Sequence, residues 1–136
     1  MKSHYQLSDH QLAAEFSKAT LDPALFNHEA HLRLAWIHIK TSGVEMAVKD
    51  ISKQLKQYTE VLGFQEKYHE TVTVAAILAV NHFMSKSTSD CFKGFIDQFP
   101  RLKTNFKDLL EQHYHKDIFS SPEARKRYLE PEILPF

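Results

Sequence analysis

Apolar residues recur every three or four positions along most of the chain, which is the period of amphipathic helices. The clearest stretch is 44–62. There Val44, Ala47, Val48, Ile51, Leu55, Tyr58 and Leu62 share one face, and Lys49, Asp50, Lys53, Lys56 and Glu60 fill the other. Gly63 predicts its end. Upstream, Ser8 is placed to cap a helix over about 9–20 with Leu12, Phe16 and Ala19 inward, and Pro23 enforces a connector. Asn27 predicts the start of a second helix over about 28–41, ended by Gly43.

A fourth helix is expected over about 65–84. It is apolar nearly all round from Val72 to Val80, the pattern of a central, buried helix. Asp90 predicts a short helix with Phe92, Phe95, Ile96 and Phe99 inward, ended by Pro100. A sixth helix follows over about 102–113, and Ser121-Pro122 reads as N-cap and first residue of a last one, to about Tyr128. The segment from Glu130 to Phe136 holds Pro131 and Pro135 and is expected to be an extended tail. Its Ile133, Leu134 and Phe136 are too apolar to stay in water, so it should pack back. No stretch alternates with period two. The expected fold is all-α: one helical bundle over 1–136, with six or seven helices, the second and fourth adjacent, and the tail packed across them.

Composition narrows the function classes. The 136 residues are 43% hydrophobic and 25% charged, a globular balance, and 3 Gly with 5 Pro argue against a turn-rich β fold. The 17 basic and 17 acidic residues cancel, so no strong field draws in nucleic acid or an anionic membrane. The start Met1-Lys2-Ser3-His4 lacks the apolar core of a signal peptide, and no apolar run reaches the ~20 residues of a membrane span. A cytoplasmic protein is expected. One cysteine, Cys91, permits neither a disulfide framework nor a cysteine-based zinc site, and it reads as a small buried residue. Neither Gly-x-Ser-x-Gly nor a glycine-rich phosphate loop occurs. Arg125, Lys126 and Arg127 read as a solvated helix end.

The 9 histidines are the unusual feature. At about 100° per residue, Glu29, Arg33 and Lys40 fall together and define a solvent face on the second helix. His31 and His38 then lie close to the opposite, core-facing direction, with Ala35 between them and His28 at the edge. On the fourth helix His69, Thr73, Ala76 and Val80 form a stripe beside the buried side. Buried imidazoles need hydrogen bonds, a metal or a hydrated cavity. Neutral histidine ligates zinc, iron, copper, nickel or manganese, and a pair at i and i+3 with a third from a facing helix leaves a position open for water or substrate. His28, His31 and His69 are therefore the candidate metal ligands. Glu29 and Glu70 are the candidate catalytic carboxylates, and Trp36, Tyr68 and Thr73 the pocket residues. The plainer reading makes each histidine a core side chain satisfied by a backbone carbonyl, and Trp36 and Tyr68 ordinary core. His4, His10, His82, His113 and His115 read as surface residues.

The segment Phe26-Asn27-His28-Glu29-Ala30-His31-Leu32-Arg33-Leu34-Ala35-Trp36 resembles the Phe-x-His-x-x-His-Leu-Arg-x-Ala-Trp motif of a family of small bacterial helical proteins. Lys67-Tyr68-His69-Glu70-Thr71-Val72-Thr73 and the ending from Ala124-Arg125 to Pro131-Glu132-Ile133-Leu134-Pro135 are similar to two further segments of it. The resemblance implies that His28, His31 and His69 recur as motif residues. It does not single out His38, and it implies no reaction.

Three classes of function stay open on these residues. One is a metal-dependent enzyme acting on a small molecule. Another is a non-catalytic module binding a small molecule or metal. The third is a protein-interaction scaffold with structural histidines. Homo-oligomer formation stays open as well.

Overall fold

A computed structural model describes residues 3–115 and 117–136. Among them are eight α-helices, three short 3-10 turns and no strand, so the fold is all-α. The chain packs into two compact units, Met1–Tyr68 and His69–Phe136.

The first unit holds α1 (Asp9–Ser17), α2 (His28–Ser42) and α3 (Val44–Leu62). Ser8 and Gln11 form a reciprocal capping box at the start of α1, and the Asn27 side chain accepts the Ala30 N–H at the start of α2. Helix α1 is shorter than its apolar pattern predicts. It stops at Ser17, where Ala19 turns into the left-handed region (φ 57°) and Thr20 N–H reaches back to Glu15 O. Gly43 and Gly63, at φ 85° and 77°, end α2 and α3 as predicted. Leu12, Phe16, Leu21, Leu25, Leu34, Leu55 and Tyr58 form the core. The Tyr58 hydroxyl donates to Leu21 O at 2.9 Å, so the one polar atom carried into that core is satisfied.

One part of the helical-wheel reading is overturned. Arg33 is only 6% exposed, and the Glu29 side chain 13%. The segment before α1 folds over that face and neutralises it. Arg33 Nε and Nη2 donate to Asp9 Oδ1 (3.1 and 2.9 Å), Nη2 donates to Leu7 O (2.9 Å) and Nη1 to His4 O (2.7 Å). His4, expected at the surface, is 1% exposed. Its Nδ1 lies 3.2 Å from Arg33 Nη1 and its Nε2 3.2 Å from Glu29 Oε1. Guanidinium can only donate, so Nδ1 accepts and the ring proton sits on Nε2, donating to Glu29. Tyr5 donates its hydroxyl to Glu29 Oε2 (3.1 Å). A wheel treats a charged residue as a vote for solvent; here the charge is met by Asp9 and two carbonyls instead.

The second unit holds α4 (Glu70–Met84), α5 (Phe92–Gln98), α6 (Arg101–Thr104), α7 (Phe106–Glu111) and α8 (Pro122–Lys126). As its all-round apolar pattern predicts, α4 is central: Val74, Ala75, Ala76, Ile77, Ala79 and Val80 are buried. It begins five residues later than predicted. Residues 65–67 make a separate 3-10 turn, and His69 is extended (φ −135°, ψ 107°). The predicted sixth helix is divided at Asn105, which leaves the helical region (φ −131°, ψ 36°), and this break supplies the eighth helix. Cys91, not Asp90, caps α5, its Sγ accepting the Gly94 N–H at 3.4 Å, and it is exposed rather than buried. Helix α8 packs on α4, with Ala124 and Ala75 in one cluster with Leu110, Tyr114 and Ile118. It ends at Lys126, short of Tyr128.

The tail folds back within this unit. Ile133 N–H donates to His113 O (2.9 Å), and the Phe136 ring stacks on His113 at 4.2 Å. Phe136 packs against the α4–α8 cluster, but Ile133 and Leu134 remain 52% and 51% exposed. The expectation that all three apolar tail residues are covered is therefore corrected. Backbone pairing and one stacked ring hold the tail while two side chains point away from the core.

Replacing Arg33 by Met should lower unfolding stability by about 3 kcal/mol, because it strands the carbonyls of His4 and Leu7 and removes the cation paired with Asp9. The Lys53→Met change on the exposed face of α3 should stay within about 0.5 kcal/mol. Urea unfolding of both variants checks this, and equal, small losses would return Arg33 to the solvent face.

Candidate functional site

The histidines divide by what their ring nitrogens already do. His69 caps α4: its Nδ1 accepts the Val72 N–H (3.2 Å), and its Nε2 lies 2.8 Å from Ile118 O. A carbonyl only accepts, so Nε2 carries the proton and both nitrogens are committed. The residue stands before the helix rather than on its face, because its lone pair satisfies one of the amides that a helix start leaves unpaired. Thr73 is buried, and its hydroxyl donates to His69 O at 2.7 Å. Glu70 opens α4 and is half-buried.

In the first unit His28 is exposed at the first turn of α2. One turn on, His31 Nε2 is shielded from solvent with no hydrogen-bond partner among the described residues. Burial, with a smaller contribution from nearby His28, pushes the His31 pKa down to about 4, so the ring is neutral at neutral pH. The Phe26 ring lies 6.1 Å from it. Glu29 is occupied by His4 and Tyr5 and anchors the segment before α1. Trp36 is buried with the Lys40 ammonium 4.6 Å from its ring centre, and half-buried Tyr68 has Lys56 at 5.3 Å. Among the described residues no group of three or more His, Cys, Asp or Glu is arranged to hold a metal ion.

The chemistry-bearing cavity of this unit lies on another stretch of α2. A groove of about 380 Å³ is lined by Asp9, His10 and Ala13 of α1, by Ile37, His38, Thr41 and Ser42 of α2, and by Asp50 of α3. His38 Nε2 is shielded and has no hydrogen-bond partner among the described residues. Burial lowers the His38 pKa, and the Asp50 carboxylate opposes that shift without overcoming it, so the imidazole stays neutral in a groove also lined by Asp9 and Asp50. The Thr41 hydroxyl is turned back to Ile37 O (2.8 Å). Asp9 joins this wall to the buried Arg33, whose guanidinium holds its Oδ1.

His38 was placed on the inward side of the second helix by its angle, and it is half-buried. Asp9, His10 and Asp50 carry no signal linking them to it. They lie on α1 and α3, and only the packing of α1, α2 and α3 brings them to one groove with His38. Comparison with family models, with curated proteins and with solved structures finds no match to the chain.

The neutral state of His31 fixes a pH dependence. The unfolded chain binds a proton at this ring near pH 6.5 and the folded chain only near 4, so stability is full above 6.5 and falls as pH drops through that window. His31 alone should remove about 2 kcal/mol between about pH 7 and pH 5. Denaturant titrations of the wild type and of His31→Leu check this: the variant should lose that share of the slope, and parallel slopes would contradict it.

Proposed function

We propose that the amino-terminal unit is a non-catalytic binding module for a small molecule rich in hydrogen-bond donors, foremost an organic ammonium, seated in the groove between α1, α2 and α3. The observation that carries this reading is His38 Nε2, shielded and unpartnered in a wall that also holds Asp9 and Asp50. A buried polar atom left without a partner costs about 1–3 kcal/mol, and a turn of the half-buried His38 ring that opens Nε2 to a ligand N–H or O–H recovers it. Two carboxylates in the lining favour a cationic or neutral guest over an anion.

Metal-dependent chemistry at His28 and His31 is the second reading. His31 Nε2 is equally unpartnered, and the two residues stand one helical turn apart, so a pair could take zinc, iron, copper, nickel or manganese with its remaining positions open. His69, the third expected ligand, has both nitrogens engaged where it stands.

Calorimetric titration of the untagged chain with ethanolamine and, separately, with zinc distinguishes the two. Millimolar, saturable ethanolamine binding that weakens roughly tenfold in Asp50→Asn, about 1.4 kcal/mol, supports the module. Zinc binding abolished by His31→Leu and untouched by Asp50→Asn supports the metal reading, and ethanolamine heats identical in wild type and Asp50→Asn would overturn the module.

A further inference from the structure

The carboxy-terminal unit carries a second groove of different chemistry, about 330 Å³ in volume. Its apolar part comes from Ala79 and Phe83 of α4, Leu109 of α7 and the tail residues Leu134, Pro135 and Phe136. Its polar part is Lys86, Arg101, His82, Gln112 and His113, and no carboxylate side chain lines it. The volume is at the small end of the range for ligand sites, about 300–1,000 Å³.

The two cations of the lining are not neutralised by a carboxylate. Neither Lys86 nor Arg101 has an ion-pair partner among the described residues; Lys86 only lies 5.9 Å from the centre of the Phe83 ring. In a chain with as many acids as bases, two unpaired cations on one apolar groove form a local positive site. His113 is oriented by the tail: its Nδ1 lies 2.8 Å from Leu134 O and must donate, which leaves Nε2 as its free nitrogen. The Phe136 ring stacked on the other side of that imidazole holds it in place. Thus one wall of the groove exists only because the tail folds back, and the stacking that holds the tail also sets the His113 ring.

We infer that this groove is a binding site for a small amphipathic acid, its carboxylate met by Arg101 and Lys86 and its apolar body laid against Phe83, Leu109 and Phe136. Arg101 suits a carboxylate because its planar fork can donate two parallel hydrogen bonds, and Lys86 adds a point charge. The apolar body supplies most of the affinity, since carbon groups leaving water contribute about 0.8 kcal/mol per methylene. This site is independent of the amino-terminal groove, where two carboxylates line the wall and repel the same ligand.

The test is titration of the full chain with octanoate, octylamine and inorganic phosphate, followed by calorimetry and by the ring resonances of His113. Octanoate should bind saturably, shift His113 and outcompete both octylamine and phosphate. The double variant Arg101→Gln, Lys86→Gln should lose roughly tenfold in octanoate affinity while keeping the wild-type melting temperature, since both side chains are exposed. Phe136→Ala should weaken octanoate as well, and if it unfolds the tail, the double variant still decides the question. Octylamine binding as tightly as octanoate, phosphate binding as tightly as octanoate, or unchanged affinity in the double variant would each overturn the assignment.

Discussion

The amino-terminal unit depends on a buried positive charge. Arg33 sits in the middle of α2 with 6% of its surface exposed, and a guanidinium cannot shed its proton to escape that position. It must be surrounded by acceptors, and residues 4–9 supply them: the Asp9 carboxylate and the carbonyls of His4 and Leu7. The second layer follows from the first. His4 can accept from Arg33 only through Nδ1, so its proton lies on Nε2 and is met by Glu29, whose other oxygen accepts from Tyr5. Each satisfied group thereby dictates the state of the next, and the segment ahead of α1 is held to α2 by polar bonds rather than by apolar packing alone.

That network also builds the candidate site. Asp9 opens α1, where a carboxylate interacts favourably with the helix dipole, and it is fixed in angle by the Arg33 fork. The same residue lines the groove with His10, His38 and Asp50. The groove therefore has one wall whose carboxylate is held in position by the buried Arg33. His38 opposite stays neutral because burial outweighs the pull of Asp50. Four imidazoles thus take two roles. His4 and His69 have their nitrogens engaged and act as structural connectors, whereas His31 and His38 each keep an Nε2 without a hydrogen-bond partner among the described residues.

Much of the architecture was legible because helices advertise themselves. The 44–62 pattern gave α3 to the residue, Asn27 and Gly43 bounded α2 to within one residue, and Val72 to Val80 marked α4 as central. What failed did so for identifiable reasons. A wheel cannot know that a charged residue will be covered by its own complementary segment, so it sends Arg33 and Glu29 to solvent, and nothing in the spacing ties His4 to them. An imidazole that caps a helix looks, in spacing, like one on its face, which is why His69 was read into a stripe with Thr73. A helix break inside an otherwise helical pattern at Asn105 carries no glycine or proline. The site was legible in half measure: the angle of His38 was right, but its companions come from α1 and α3, and periodicity within one helix cannot reach across three.

The division of the histidines is the claim that most of this account rests on, and imidazole nitrogen-15 spectra at neutral pH test it most directly. His4 and His69 should show fixed Nε2–H tautomers that ethanolamine does not disturb. His38 should be neutral and should change its Nε2 shift on ethanolamine addition. If His38 is protonated at neutral pH, or if ethanolamine moves His69 and leaves His38 unchanged, the assignment of structural and ligand-binding histidines is wrong.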